Sequence, residues 1–371
     1  MVNKLLRSVF VRMTGYATVM SAWQTATSRA CESTMRPLCR NGPAAQRDNV
    51  PQAITGRSTW LRGLGGTAAS LAVAAGAIYA LTHAIKKLDL THVVSIAEAT
   101  DPRLIAMALV LVALSYGSVT LYDLLALRTL GRDDVPYRTA ALASFTSFPI
   151  AHGIGAVALI SPVIRYRMYA PYKLGVPDIA AIAVLTGMTF WLGNLTALGL
   201  SLMLDPDAFS WLGYWPPAFN RGMAYALLAG VTAFVIWSWP GRRSSRWPVR
   251  LPSGSLVLLQ IAIGLFDLGT AALAMYVLIP AELDIELSRL TAVFIAATLL
   301  GFASHAPAGI GLFDATILLG LGNDDKEPLL AALLIFRILY HLLPFVLALA
   351  LFAGIELRRN MTRVRASRRL S

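Results

Sequence analysis

A chain of 371 residues, 56% of them hydrophobic and 14% charged, with a mean hydropathy of +0.62, is too apolar for a soluble one- or two-domain protein. The net charge of +12 would point to nucleic acid in a soluble chain, but here the basic residues gather in short connections and tails between apolar runs. They suit an anionic membrane surface, so membrane phospholipid is the expected partner and nucleic acid is not. Two cysteines, Cys31 and Cys39, make no disulfide framework or metal site, and no nucleotide-cradling loop is present, so neither metal nor cofactor is expected.

Residues 1–62 are basic, with Glu32 and Asp48 their only acids; they are read as a disordered cytoplasmic tail or as a stretch ahead of the true start. Apolar runs follow at 64–85, 104–127, 139–160, 178–204, 222–239, 255–279, 290–321 and 329–354, several of them long enough for ~30 Å of hydrocarbon at ~20 residues per span. A second basic tail covers 357–371, which leaves 63–356 as the membrane domain.

The loop with Arg242, Arg243, Arg246 and Arg250, and the tail with Arg358, Arg359, Arg363, Arg365, Arg368 and Arg369, belong on the cytoplasmic side of a bacterial inner membrane. Acidic connections at Asp205 and Asp207, at Glu282, Asp284 and Glu286, and at Asp324, Asp325 and Glu327 read as periplasmic. On this assignment both termini are cytoplasmic. The run 139–160 then starts and ends inside, and 290–321 starts and ends outside. Each is expected to be a re-entrant hairpin, with six full spans around them. The fold class is therefore an all-α polytopic membrane protein of about six to eight transmembrane helices, with two Gly/Pro-broken hairpins in an inverted repeat.

Both hairpins break at similar sequences, Pro149-Ile-Ala-His152-Gly153-Ile-Gly155 and Pro307-Ala-Gly309-Ile-Gly311. Irregular backbone at membrane depth must be buried in protein or line a wet cavity, so the breaks are expected to face inward. The helices restarting at Ala156 and Leu312 would aim free N–H groups at the bilayer centre, where an anionic group could be held. Static packing is the competing reading for the glycines.

Polar residues inside spans mark function or buried pairs. Asp267 lies midway along its run, Asp314 follows the second glycine pair, and Arg337 precedes His341 by one helical turn. A buried ion pair of Arg337 with Asp267 or Asp314 competes with a proton-coupling role, which Asp123 and His341 could share. His152 and His305 read as packing histidines. Arg165, Arg167 and Lys173 either set topology or gather anionic headgroups at the cytoplasmic mouth.

Several stretches resemble a known family. Tyr-Asp-Leu-Leu-Ala-Leu-Arg (122–128), Val-Pro-Tyr-Arg (135–138), Ile-Arg-Tyr-Arg-Met-Tyr (164–169), Thr-Phe-Trp-Leu-Gly (189–193), Pro-Ala-Gly-Ile-Gly-Leu-Phe-Asp (307–314) and Phe-Arg-Ile-Leu-Tyr-His-Leu-Leu-Pro (336–344) are similar to the transmembrane flippase domain of lysylphosphatidylglycerol synthetases, the multiple peptide resistance factors. The similarity runs over about 64–356. It implies movement of an anionic or aminoacylated phospholipid from inner to outer leaflet, with resistance to cationic antimicrobial peptides. Gly153, Gly155, Arg165, Arg167, Gly309, Gly311, Asp314 and Arg337 would line or bind along the lipid path. The family's aminoacyltransferase domain has no counterpart in these 371 residues. The expectation is therefore a transporter rather than an enzyme. A scaffold or partner subunit for a separate lipid aminoacyltransferase, and a transporter of another lipid such as a hopanoid, stay open beside it.

Overall fold

The computed structural model describes residues 95, 99–209, 216–239, 251–304, 306–321 and 327–368. The tail 1–62, the run 64–85 and the arginine-rich loop 240–250 lie outside the described residues. The described part is helical throughout and polytopic. Its elements are α1 (Pro102–Leu130), α2 (Tyr137–Ile154), α3 (Val157–Met168), α4 (Val176–Leu204), α5 (Pro217–Ser238), α6 (Gly254–Leu278), α7 (Leu287–Ser304), α8 (Leu312–Leu321), α9 (Glu327–Arg337) and α10 (Leu343–Arg368). A five-residue π-helical turn, Ile338–Leu342, fuses α9 to α10.

Local sequence explains the boundaries. Pro102 opens α1 behind Asp101, whose carboxylate accepts the Arg103 N–H at 2.8 Å, and Gly131 closes it in the left-handed region (φ 71). Asp178 accepts the Gly175 N–H at 2.9 Å at the start of α4. α10 continues to Arg368, so most of the basic stretch after residue 356 is helical.

Five helices are long and apolar enough to cross a bilayer: α1, α4, α5, α6 and the fused α9–α10. They coincide with five of the six full spans read from sequence, and the sixth, 64–85, is outside the described residues. The other two runs are each split into a pair of shorter helices packed on each other, α2 with α3 and α7 with α8. Large apolar side chains such as Val110, Leu114, Val184, Leu258, Phe266 and Leu347 face outward on the long helices. In water that apolar exterior would be an aggregation liability, and a bilayer covers it.

The halves repeat. α6, α7, α8 and α9 begin 152, 150, 155 and 151 residues after α1, α2, α3 and α4 (254 against 102, 287 against 137, 312 against 157, 327 against 176). Their packing is reciprocal: α1 lies along its counterpart α6, α2 packs on α10, and α7 packs on α4. Exchange of partners of this kind is what a two-fold relation between halves produces. Close approach of α4 to α6 depends on Gly193 and Gly264, because a Cβ on Gly193 would sit 2.7 Å from the Gly264 Cα.

Candidate functional site

The two breaks meet at one cavity. α2 runs straight through His152 and Gly153 and stops at Gly155, which takes a left-handed φ of 81. α7 ends at Ser304, a single 3-10 turn covers Pro307–Gly309, and Ala308, Gly309 and Gly311 all have positive φ (51, 65 and 95). Gly155 and Val157 from the first hairpin, and Ala306, Ala308 and Gly309 from the second, line the same cavity of about 90 Å³. At 10–15 Å³ per probe-sized water, that is room for a handful of water molecules. Gly155 and Gly309 thus border the cavity, whereas Gly311, predicted to line the same path, is exposed and does not.

Polar groups converge there. Asp267 from α6, His152 from α2, Tyr116 from α1, and Tyr340 and His341 from the π turn join a wall of aromatic rings that includes Phe148, Phe190 and Phe302. Ser115 Oγ donates to Asp267 Oδ1, and the Tyr122 hydroxyl donates to Asp267 Oδ2 at 2.8 Å. The Tyr116 hydroxyl donates to the Tyr340 carbonyl at 2.9 Å and ties α1 to the π turn. Ser115 and Asp267 are themselves repeat counterparts, 152 residues apart like the starts of α1 and α6.

Arg337 stands behind the second break. It pairs with Asp314, donates to the Ala308 carbonyl at 3.2 Å and lies 5.4 Å from the Phe313 ring centroid. Asp314 also accepts the Gly311 N–H at 2.8 Å. That donor was expected to be free for an anion, and the chain's own carboxylate takes it. No side chain caps α3 at the first break. Of the two acids weighed as partners for Arg337, the pair is with Asp314.

The remaining candidates sit elsewhere. Asp123 is fully buried: Arg165 donates to it at 2.7–3.1 Å, Tyr169 donates at 2.7 Å, and Arg165 also bonds Ser161. Arg167 pairs with Glu356, whose other oxygen meets Arg359. Both arginines read as headgroup collectors therefore point at carboxylates. Gly153 does not border the cavity; a Cβ there would lie 2.3 Å from the ring of buried Phe345. His305 lies outside the described residues. Ser115, Tyr116 and Tyr340 were not singled out from sequence, since a hydroxyl in an apolar run costs little and carries no mark until its partner is known.

The positive-φ glycines allow a test. Gly309→Ala and Gly311→Ala should each lose stability, of order 1–2 kcal/mol from left-handed strain alone. At 309 (φ 65) a Cβ also comes within 3.2 Å of the Gly301 Cα, and at 311 the space is open but φ is 95, outside the range alanine adopts. Thermal unfolding of the detergent-purified variants reads both, and a variant as stable as wild type would mean that its glycine does not hold this backbone.

No family model matches the chain. It is 26% identical over 263 residues to the uncharacterized protein slr0712 of Synechocystis, covering 69% of this chain and 81% of the relative. Over 293 residues it is 25% identical to the inner membrane protein YbhN of Escherichia coli, covering 76% and 89%. It is also 25% identical over 265 residues to the phosphatidylglycerol lysyltransferase of Staphylococcus aureus, covering 66% of this chain and 29% of that enzyme. A multi-pass helical membrane protein, the chain is thus similar along most of its length to an uncharacterized bacterial protein, to a bacterial inner membrane protein and to one part of a phosphatidylglycerol lysyltransferase.

Proposed function

We propose that this protein moves an anionic or aminoacylated phospholipid between the leaflets of a bacterial inner membrane, with both termini cytoplasmic. The observation that carries the reading is the meeting of two glycine-broken hairpins, one from each half of a repeat, at a single cavity that holds Asp267 among aromatic rings. A repeated and interrupted pair of this kind suits alternating access, which static packing does not require. The present cavity is smaller than a phospholipid headgroup, so passage requires the hairpins to separate; the break held by Arg337 and Asp314 is the latch on one side. Similarity to part of a phosphatidylglycerol lysyltransferase favours an aminoacylated phosphatidylglycerol as cargo and a lipid aminoacyltransferase as partner.

Purified protein in vesicles of phosphatidylethanolamine and fluorescently labelled phosphatidylglycerol should speed leaflet exchange several-fold over empty vesicles, read by quenching of outer-leaflet label. Arg337→Ala should abolish the gain, because Asp314 and the Ala308 carbonyl lose their brace. Wild-type protein without effect on labelled phosphatidylglycerol or its lysyl form would rule the reading out in favour of a scaffold.

A further inference from the structure

Four of the described carboxylates stand within the helical bundle: Glu356, paired with Arg167 and Arg359, and Asp123, Asp314 and Asp267, which are held differently. Asp123 is bonded by Arg165 and Tyr169, and Asp314 by Arg337 and the Gly311 N–H. Both are committed, since neutralising either would leave a buried guanidinium uncompensated. Asp267 has no such partner. Among the described residues it makes no ion pair, and its oxygens receive only the hydroxyls of Ser115 and Tyr122. It is also the carboxylate that borders the cavity.

The side chains that border the cavity with Asp267 are all neutral ones or histidines, and among them Asp267 is the one acid. Tyr116 and Tyr122 face it from α1, Tyr340 and His341 stand in the π turn, and His152 lies on α2 across the cavity. α4 and α7 contribute Phe190, Phe294, Thr298 and Phe302 to the wall, with no charged group, and Arg337 at the end of α9 is engaged with Asp314. Both partners are hydroxyls, which can also accept and rotate, so neither protonation state leaves a partner stranded. Ser115 Oγ is also 3.4 Å from the Tyr340 hydroxyl, a second partner for it when Asp267 carries a proton.

A neutral imidazole stands on the facing wall. His152 Nδ1 is 3.0 Å from the Phe148 carbonyl, and a carbonyl only accepts, so Nδ1 carries the hydrogen and Nε2 is the basic nitrogen of the neutral ring. The π turn that presents Tyr340 and His341 is itself a common mark of functional positions in helices.

The geometry points to Asp267 as the proton-binding site of this cavity, through which a pH gradient across the membrane drives the lipid movement proposed above. A proton arrives from a hydronium ion, forms an O–H bond on Asp267 and leaves to water on the other side. One proton moves and no covalent bond in the lipid changes. The coupling to lipid rests on the transport reading; the proton site does not.

Two measurements separate them. Infrared difference spectra of the full chain in nanodiscs, taken between alkaline and acid buffer, should show a protonated-carboxyl band that disappears in Asp267→Asn and returns, shifted, in Asp267→Glu. Spectra in which wild type and Asp267→Asn show the same carboxyl bands would overturn the assignment whatever the lipid does. In the labelled phosphatidylglycerol vesicles, an imposed pH gradient should accelerate wild-type exchange several-fold, should make no difference to Asp267→Asn, and should act again in Asp267→Glu. Wild-type exchange indifferent to the gradient would overturn the coupling while leaving transport intact. The infrared band without exchange under any condition would support the proton site and remove the lipid reading.

Discussion

Arg165→Ala should destabilise the helical bundle by about 3–5 kcal/mol, the usual cost of removing one partner from a buried ion pair. Asp123 is completely shielded from solvent, and Arg165 reaches it through both Nε and Nη2 while Nη1 bonds Ser161. Deleting the guanidinium strands a carboxylate with only the Tyr169 hydroxyl for compensation. Arg165→Lys should recover only part, since an ammonium cannot reproduce the forked contact. The double variant Asp123→Leu with Arg165→Met should recover more than half, because no charge is left unpaired. Thermal unfolding in detergent, followed by tryptophan fluorescence, reads all three. A loss below about 1 kcal/mol for Arg165→Ala would mean that water reaches Asp123 and that the site is wetter than described.

The second large effect belongs to α4 and α6. Gly193 and Gly264 are back to back, and a Cβ on Gly264 would stand 2.8 Å from the Gly193 Cα and 2.9 Å from the Thr189 carbonyl oxygen. No side chain can swing aside, because the obstructing atoms are backbone. Overpacking in a dense interior costs about 1–3 kcal/mol, and with backbone on both sides Gly264→Val is expected at or above the top of that range. Gly269→Ala on the same helix, where a Cβ meets nothing within 4 Å, is the control and should be close to neutral. If both variants unfold at the same temperature, the helices are not held at this distance. Asp267 lies one turn beyond Gly264 on α6, so Gly264→Val should also disturb the cavity.

The spans were legible because a bilayer imposes a length and a composition on each crossing segment regardless of its neighbours. The two breaks were legible because Gly155 and Gly309 act locally, through φ values that other residues avoid. Pairings were not. Asp123 and Arg165 are 42 residues apart, and nothing in either segment says that they meet. Arg165 and Arg167 lie next to a basic loop, and by charge counting alone they resemble the arginines that face headgroups; burial against Asp123 and Glu356 is a tertiary fact. The π turn at Ile338–Leu342 also has no signature in this stretch. Arg337 and His341 therefore read as neighbours on one α-helical face, yet His341 lines the cavity and Arg337 stands behind its wall.

The Ser115–Asp267 bond joins equivalent positions of the two halves, one on α1 and the other on α6. Tyr122, two turns further along α1, holds the other oxygen of the same carboxylate. Any sliding of α1 along α6 must therefore break both bonds together, which ties the register of the two halves to the hydrogen bonding of a single acid.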